Sequence, residues 1–234
     1  MQVPASERIG PPLLSFSRTL VIVGGGRVDF DILAGLVASG AHMVGADGGA
    51  DLIAQAGVVP DAIIGDLDSL ADPQGWARRT RVIHVAEQET TDFEKALYCT
   101  RAPVTVALGM TGGRFDHTLA ALDAVLRHAH ERALILVDEE DVALAATGPV
   151  RFTVGRGERI SIHPLGPARF LGSEGLDYPL QGVELKPGGR TGTSNVATNG
   201  TFSIEPEPGA APYLLILGQR NLMALIEMAG QSAK

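Results

Sequence analysis

The chain has 234 residues, 45% of them hydrophobic, enough to bury a sizeable core in one large domain or two small ones. Nineteen Lys and Arg against 27 Asp and Glu give a formal net charge of −8, which argues against a broad nucleic-acid or anionic-membrane surface. The single Cys99 excludes an internal disulfide, and a reducing, cytoplasmic location is expected.

Residues 1–19 carry Pro4, Glu7, Arg8, Pro11 and Pro12 without a long apolar run, and read as an N-terminal extension, not a secretory signal. No apolar stretch approaches the length of a membrane span. Residues 20–147 alternate strand and helix. Leu20–Val23, His42–Gly45, Ala62–Ile64, Val82–Val85, Val104–Leu108 and Leu134–Val137 read as short buried strands. Phe30–Ala38, Ala50–Ala56, Pro73–Arg79, Asp92–Thr100, Phe115–Ala129 and Glu140–Ala146 read as helices. Asp72-Pro73 is a good N-cap with proline at the first helical position, and Gly40 and Gly57 suit helix C-termini. Such strand–helix units predict an α/β domain with a mostly parallel, doubly wound sheet. After Gly148-Pro149, Arg151–Val154, Arg159–His163, Gly182–Leu185, Phe202–Ile204 and Tyr213–Leu217 alternate with glycine and proline turns. Residues 148–234 therefore read as an all-β, sandwich-like domain closed by a short helix at Asn221–Met228.

Four acidic loops follow expected strands: Ala46–Gly49, Gly65–Ser69, Gln88–Asp92 and Thr111–His117. Ligands of open α/β sheets bind outside the carboxyl ends of the strands, so these loops are expected to converge on one crevice. Converging carboxylates repel unless a cation lies among them, and Mg²⁺ with phosphate ligands is the usual answer.

The individual motifs differ in weight. Gly24-Gly25-Gly26 with Asp47 faintly suggests a dinucleotide fold, but Asp29 stands where the third fingerprint glycine belongs, and a tight turn explains the glycines equally well. In extended backbone Asp66 and Asp68 point to one side and can share a Mg²⁺; capping by Asp68 or Ser69 would explain one acid, not two. Thr91 and Glu94 fit a capping box, and Asp92 suits a helix N-terminus whether or not it has another role. Lys95 either contacts phosphate or lies on a solvated face. Arg114 offers a planar fork to phosphate oxygens, while Asp116 and His117 are also ordinary first-turn residues. Gly192-Thr193-Ser194-Asn195 reads by itself as a polar loop.

Taken together, ADGGAD at Ala46–Asp51, PDAIIGDLDS at Pro60–Ser69, TDFEKAL at Thr91–Leu97, GMTGGRFDHTLAAL at Gly109–Leu122, GLDYPL at Gly175–Leu180 and GTSN at Gly192–Asn195 resemble thiamine pyrophosphokinase. The resemblance implies an α/β catalytic, ATP-binding domain, a β-rich thiamine-binding domain and a homodimer with shared active sites. It implies transfer of pyrophosphate from ATP to thiamine, giving thiamine diphosphate and AMP, with Mg²⁺ held by Asp66, Asp68 and Asp92. Asp47, Gln88, Thr91, Lys95 and Arg114 would lie around nucleotide, phosphate or thiamine, with Asp92, Arg114 and Asp116 as the catalytic set. Ser194 and Asn195 would belong to the substrate pocket, contributed across the dimer. The chain departs from the family in carrying Asp177 where lysine is common, and its only tryptophan, Trp76, lies in the first domain. Two other readings stay open: a pyrophosphokinase acting on a pterin-like alcohol, and a non-catalytic nucleotide-binding domain built on Gly24–Gly26 and Asp47.

Overall fold

The structure is a computed structural model and describes residues 11–232. Its first part runs β1 (Leu14–Ser15), β2 (Leu20–Val23), α1 (Phe30–Ala38), β3 (His42–Ala46), α2 (Gly49–Gln55), β4 (Ala62–Gly65), α3 (Pro73–Ala77), β5 (Arg81–His84), α4 (Asp92–Cys99), β6 (Thr100–Arg101), β7 (Val104–Leu108), α5 (Phe115–His128) and β8 (Ala133–Val137). The second runs β9 (Asp141–Ala146), β10 (Val150–Thr153), β11 (Arg159–Pro164), β12 (Ala168–Glu174), β13 (Glu184–Leu185), β14 (Gly192–Val196), β15 (Thr201–Pro206), β16 (Tyr213–Gly218) and, after a 3₁₀ turn at Gln219–Asn221, α6 (Leu222–Ser232).

Strands β8, β7, β2, β3, β4 and β5 are parallel neighbours in that order. Their apolar runs split by period two, as a sheet covered on both faces requires. Val21 and Val23 pack with Leu33, Leu36 and Ile53 of α1 and α2. Leu20 and Ile22 pack on the opposite face with Phe93, Ala96, Leu97, Ala121 and Ala124 of α4 and α5. The sheet is thus wound on both sides.

Glu140–Ala146, expected as a helix, instead forms strand β9 from Asp141 onward, antiparallel to β8 through a tight turn in which Asp138 N–H donates to the Asp141 carbonyl at 2.8 Å. The alanines suggested a helix, but Val142, Leu144 and Ala146 share one face with the core of the sandwich while Ala145 faces the other cluster. Pairing on both edges decides the conformation, overriding helix propensity. Through β9 the sheet continues, antiparallel, to β16, β11 and β14, making ten strands. Residue 147 lies between β9 and β10, and the large sheet passes across it.

A second sheet, β10-β15-β12-β13, covers the antiparallel end of the first. Phe152, Phe170 and Phe202 share a core with Ile160, Ile162, Tyr213 and Leu215 of the large sheet. The Phe170 and Tyr213 rings meet edge to face, centroids 5.5 Å apart. Strand β12 carries no apolar run long enough to announce itself. The Gly192–Asn195 segment, expected as a loop, is part of β14 and pairs with β11.

Of the expected N-terminal extension, residues 1–10 lie outside the described residues; Leu14–Ser15 pairs with Thr100–Arg101, and Phe16 N–H donates to the Arg101 carbonyl at 2.8 Å. Among the described residues no helix is long and apolar enough to cross a membrane.

Candidate active site

The carboxyl ends of β2, β3, β4 and β7 and the loop after β5 enclose a cleft of about 590 Å³. Its walls include Gly24–Gly26, Asp47, Asp66, Asp68, Gln88, Thr91, Asp92, Lys95 and Arg114. Residues separate in sequence converge here because parallel strands deliver their following loops to the same edge. The glycine turn has a packing reason of its own: a Cβ on Gly26 would stand 2.6 Å from the Gly109 carbonyl oxygen.

Asp47 follows β3 in the left-handed region, at φ 49°, and is 3% exposed. Its N–H donates to the Ile64 carbonyl, and its Oδ2 accepts the Ser69 N–H, both at 2.9 Å. Its Oδ1 is buried without a hydrogen-bond partner. Burial pushes the Asp47 carboxyl above its ordinary range; the Ser69 N–H pulls against this, and the charges of Asp92 and Asp66 add to the rise.

The Asp66–Asp68 loop is not extended. Leu67 between the two acids takes φ 67°, a strained conformation for a branched side chain of this size. The expected same-side geometry of an extended strand therefore does not apply, yet one ligand oxygen from each of Asp47, Asp66 and Asp68 lies within 4.8 Å of the others. Asp66 Oδ1 accepts the Asp68 N–H at 3.3 Å, and Gln88 Nε2 donates to Asp66 Oδ2 at 2.8 Å. Burial pushes the Asp66 carboxyl up, but Gln88, the Asp68 N–H and Lys95 outweigh it and hold the group below its ordinary range.

Asp92 opens α4, with Thr91 as N-cap accepting the Glu94 N–H at 3.4 Å. Glu94 does not reach back as a capping box would. It is buried, and its carboxylate takes a two-pronged bond from Arg127 of α5, at 2.8 and 2.6 Å. Asp92 Oδ1 accepts the Asp66 N–H at 3.2 Å and Lys95 Nζ at 2.9 Å. Lys95 is 1% exposed and also donates to Asp66 Oδ2 at 3.2 Å, so it lies on no solvated face. Burial lowers its ammonium pKa, but the Asp92 and Asp66 bonds and charges prevail, and the net direction is upward.

Arg114 stands at the N-cap of α5 with its side chain 71% exposed, and forks onto Asp116 at 3.1 and 2.6 Å. The Arg114 bond holds the Asp116 carboxyl at about 2. Glu87, not singled out from the sequence, organises the neighbouring loop. Its carboxylate accepts the N–H groups of Glu89 and Thr90 at 2.6 and 3.0 Å and the Tyr98 hydroxyl at 3.1 Å. No sequence signal distinguishes such an acid from its neighbours Glu89 and Asp92.

Ser194 and Asn195 do not line this cleft. Ser194, at φ 60°, is exposed and donates its N–H to Ser161 Oγ; Asn195 is 2% exposed and bonded to the backbone of Tyr178. Within one chain, then, the structure brings Asp47, Asp66, Asp68, Gln88, Thr91, Asp92, Lys95 and Arg114 together, and leaves Ser194 and Asn195 apart.

The donor set of Asp47, Asp66 and Asp68 is entirely carboxylate oxygen, and Asp47 has a buried Oδ1 without a hydrogen-bond partner. Hard oxygen ligands in this number fit a Mg²⁺ that keeps part of its water and takes phosphate oxygens for the rest.

Residues 34–137 match the family described as thiamin pyrophosphokinase, catalytic domain. The chain is 28% identical over 154 residues to thiamin pyrophosphokinase 1 of Caenorhabditis elegans, covering 59% of this chain and 63% of that protein. It is 26% identical over 201 residues to thiamine pyrophosphokinase of Bacillus subtilis (strain 168), covering 80% of this chain and 94% of that protein. In fold it is similar to the crystal structure of the Bacillus subtilis enzyme, with TM-score 0.71 at 21% identity over 86% of this chain and 99% of that one. The thiamin pyrophosphokinase of Candida albicans gives TM-score 0.73 at 15% identity, over 89% of this chain and 92% of that one. Residues 34–137 are thus similar to the catalytic domain of the thiamin pyrophosphokinase family, and the chain spans a little under two thirds of the length of the Caenorhabditis elegans relative that it matches.

Proposed function

We propose that this chain transfers a pyrophosphoryl group from ATP to the hydroxyl of thiamine, giving thiamine diphosphate and AMP. The observation that carries this reading is the convergence of Asp47, Asp66, Asp68 and Asp92 on one cleft with Arg114 in its wall, inside the segment matched to the catalytic domain. Asp66, Asp68 and Asp92 would hold Mg²⁺, with Asp47 beside them. When bound, the ion neutralises charge on phosphate oxygens. Arg114, exposed and paired with the exposed acid Asp116, can exchange that partner for a phosphate. Gln88 and Thr91 frame the cleft on the side of Asp92.

In the transfer, the thiamine oxygen bonds to the β-phosphorus as the bond from that phosphorus to the AMP oxygen breaks, and the hydroxyl proton is released. Alignment of acceptor and leaving oxygens and fixed charge supply most of the acceleration such a reaction needs. The acidic cleft accounts for Mg-ATP but offers little surface to an aromatic cation. We therefore propose that residues 148–234 bind thiamine, with the exposed Ser194 reaching the cleft of a partner subunit in a cytoplasmic homodimer and the buried Asn195 holding that segment in position.

Chromatography or phosphorus NMR of a reaction with ATP and either thiamine or a pterin alcohol tests the activity. AMP with thiamine is expected; stoichiometric ADP, or AMP only with the pterin, overturns it. Mixing an Asp66→Asn chain with a Ser194→Ala/Asn195→Ala chain tests the sharing, because a mixed dimer contains one intact site. Partial recovery is expected, and no recovery in demonstrated mixed dimers refutes the shared site.

A further inference from the structure

Lys95 is a long, flexible cation locked in place. It is 1% exposed, carried on the first turn of α4, and bonded at 2.9 Å to Asp92 and 3.2 Å to Asp66. Those two carboxylates belong to different loops, and a third and fourth, Asp47 and Asp68, stand in the same cleft. Four carboxylates against one ammonium leave the group strongly negative. A lysine meant to grip a ligand phosphate would present Nζ to the open cleft. Here the ammonium is shielded from solvent and committed to two acids, which is the arrangement of a counter-ion.

We propose that Lys95 is a fixed internal cation that weakens and thereby tunes divalent-metal binding at Asp66 and Asp92, and holds those two loops together when no divalent ion neutralises them. This rests on the reading of the cleft as a Mg²⁺ site. The physical reason is competition. Lys95 and a divalent ion lower the energy of the same carboxylates, and each repels the other across a few ångströms in a partly dry cleft. Removing the ammonium raises the negative potential that attracts the ion and removes the repulsion, at the cost of an apo cluster with less to hold it.

The test is calorimetric titration of Mg²⁺ at pH 8 into wild type, Lys95→Met and Lys95→Gln, with melting curves in EDTA and in Mg²⁺. At pH 8 carboxylate protonation does not mask the effect. Both variants are expected to bind Mg²⁺ more tightly, by about tenfold or more, to melt lower than wild type in EDTA, and to recover much of that loss in Mg²⁺. Binding unchanged or weakened in the folded variants overturns the counter-ion role and makes Lys95 an ordinary structural pair or a ligand contact. The glutamine variant covers the case in which the methionine variant does not fold. The two readings fail separately. If wild type shows no Mg²⁺ binding that Asp66→Asn removes, the metal site itself is wrong. If wild type binds but the Lys95 variants do not bind more tightly, only the counter-ion inference is wrong.

Discussion

Asn195 brackets the backbone of Tyr178: its Oδ1 accepts the Tyr178 N–H at 3.0 Å, and its Nδ2 donates to the Tyr178 carbonyl at 2.8 Å. The GLDYPL and GTSN segments, separate in sequence, are thereby one structural unit, reinforced by Asp177 N–H donating to the Val196 carbonyl at 2.9 Å. The Tyr178 side chain it presents is 59% exposed. Asn195→Ala is expected to cost roughly 1–3 kcal/mol, because it strands two backbone groups beside a buried position. Tyr178→Ala is expected to cost under about 0.5 kcal/mol, as an exposed surface change. Urea denaturation of both variants checks the contrast; equal losses would mean that the amide clamp contributes nothing of its own.

Asp66→Asn and Asp68→Asn are each expected to reduce turnover by two orders of magnitude or more while leaving the fold intact. Each removes one negative ligand from a cleft edge, and Asp66→Asn, which also loses the charge that Lys95 stabilises, is expected to melt lower than Asp68→Asn without unfolding. Paired rate and thermal-melt measurements decide. Near-normal turnover would remove these residues from the metal site, and global unfolding would make them structural.

Asp47 supplies a pH test with a definite sign. Its folded pKa is raised above the ordinary 3.8, chiefly by burial, so the ionised form is penalised in the fold. That penalty is present at neutral pH and disappears as pH falls through the raised value. Asp47→Asn keeps an oxygen for the Ser69 N–H and removes the charge. In EDTA at pH 7 the variant is expected to melt at or above wild type, and the difference to shrink on acidification towards 3.8. A variant that melts lower at pH 7 would show that the buried carboxylate stabilises the fold.

The α4–α5 contact is fastened by Glu94 and Arg127. Arg127→Ala leaves the Glu94 carboxylate, 9% exposed, with only His128 Nε2 at 3.6 Å. The Arg127 side chain is itself 53% exposed, so the loss is expected to be about 1–3 kcal/mol and not the larger figure of a fully dry pair. Glu94→Gln should cost no more than Arg127→Ala, since it removes the charge that needs a partner. Denaturant midpoints of the two variants check the order.

The parallel strands and their helices were legible in the sequence because local rules and tertiary packing agree there. Leu20–Val23 and Val104–Leu108 are buried on both faces and, Thr105 aside, apolar, and Asp72-Pro73 and Thr91 carry their own caps. The acidic loops were legible for the same reason, since strand polarity alone sends them to one edge. What the sequence left open were features decided by partners far along the chain. Asp141–Ala146 is a strand because β8 and β16 flank it, although its alanines fit a helix. Gly192–Asn195 joins β11 although its residues suit a turn. Glu94 spends its carboxylate on Arg127, 33 residues away, and not on its own helix cap. Lys95 is the sharpest case. Its spacing admits a solvated face or a phosphate contact, and only the tertiary fold buries it between Asp66 and Asp92. Periodicity, capping and turn chemistry act within a few residues and can be read along the chain; burial, register and charge pairing depend on which distant groups share a volume, and only the folded structure sets that.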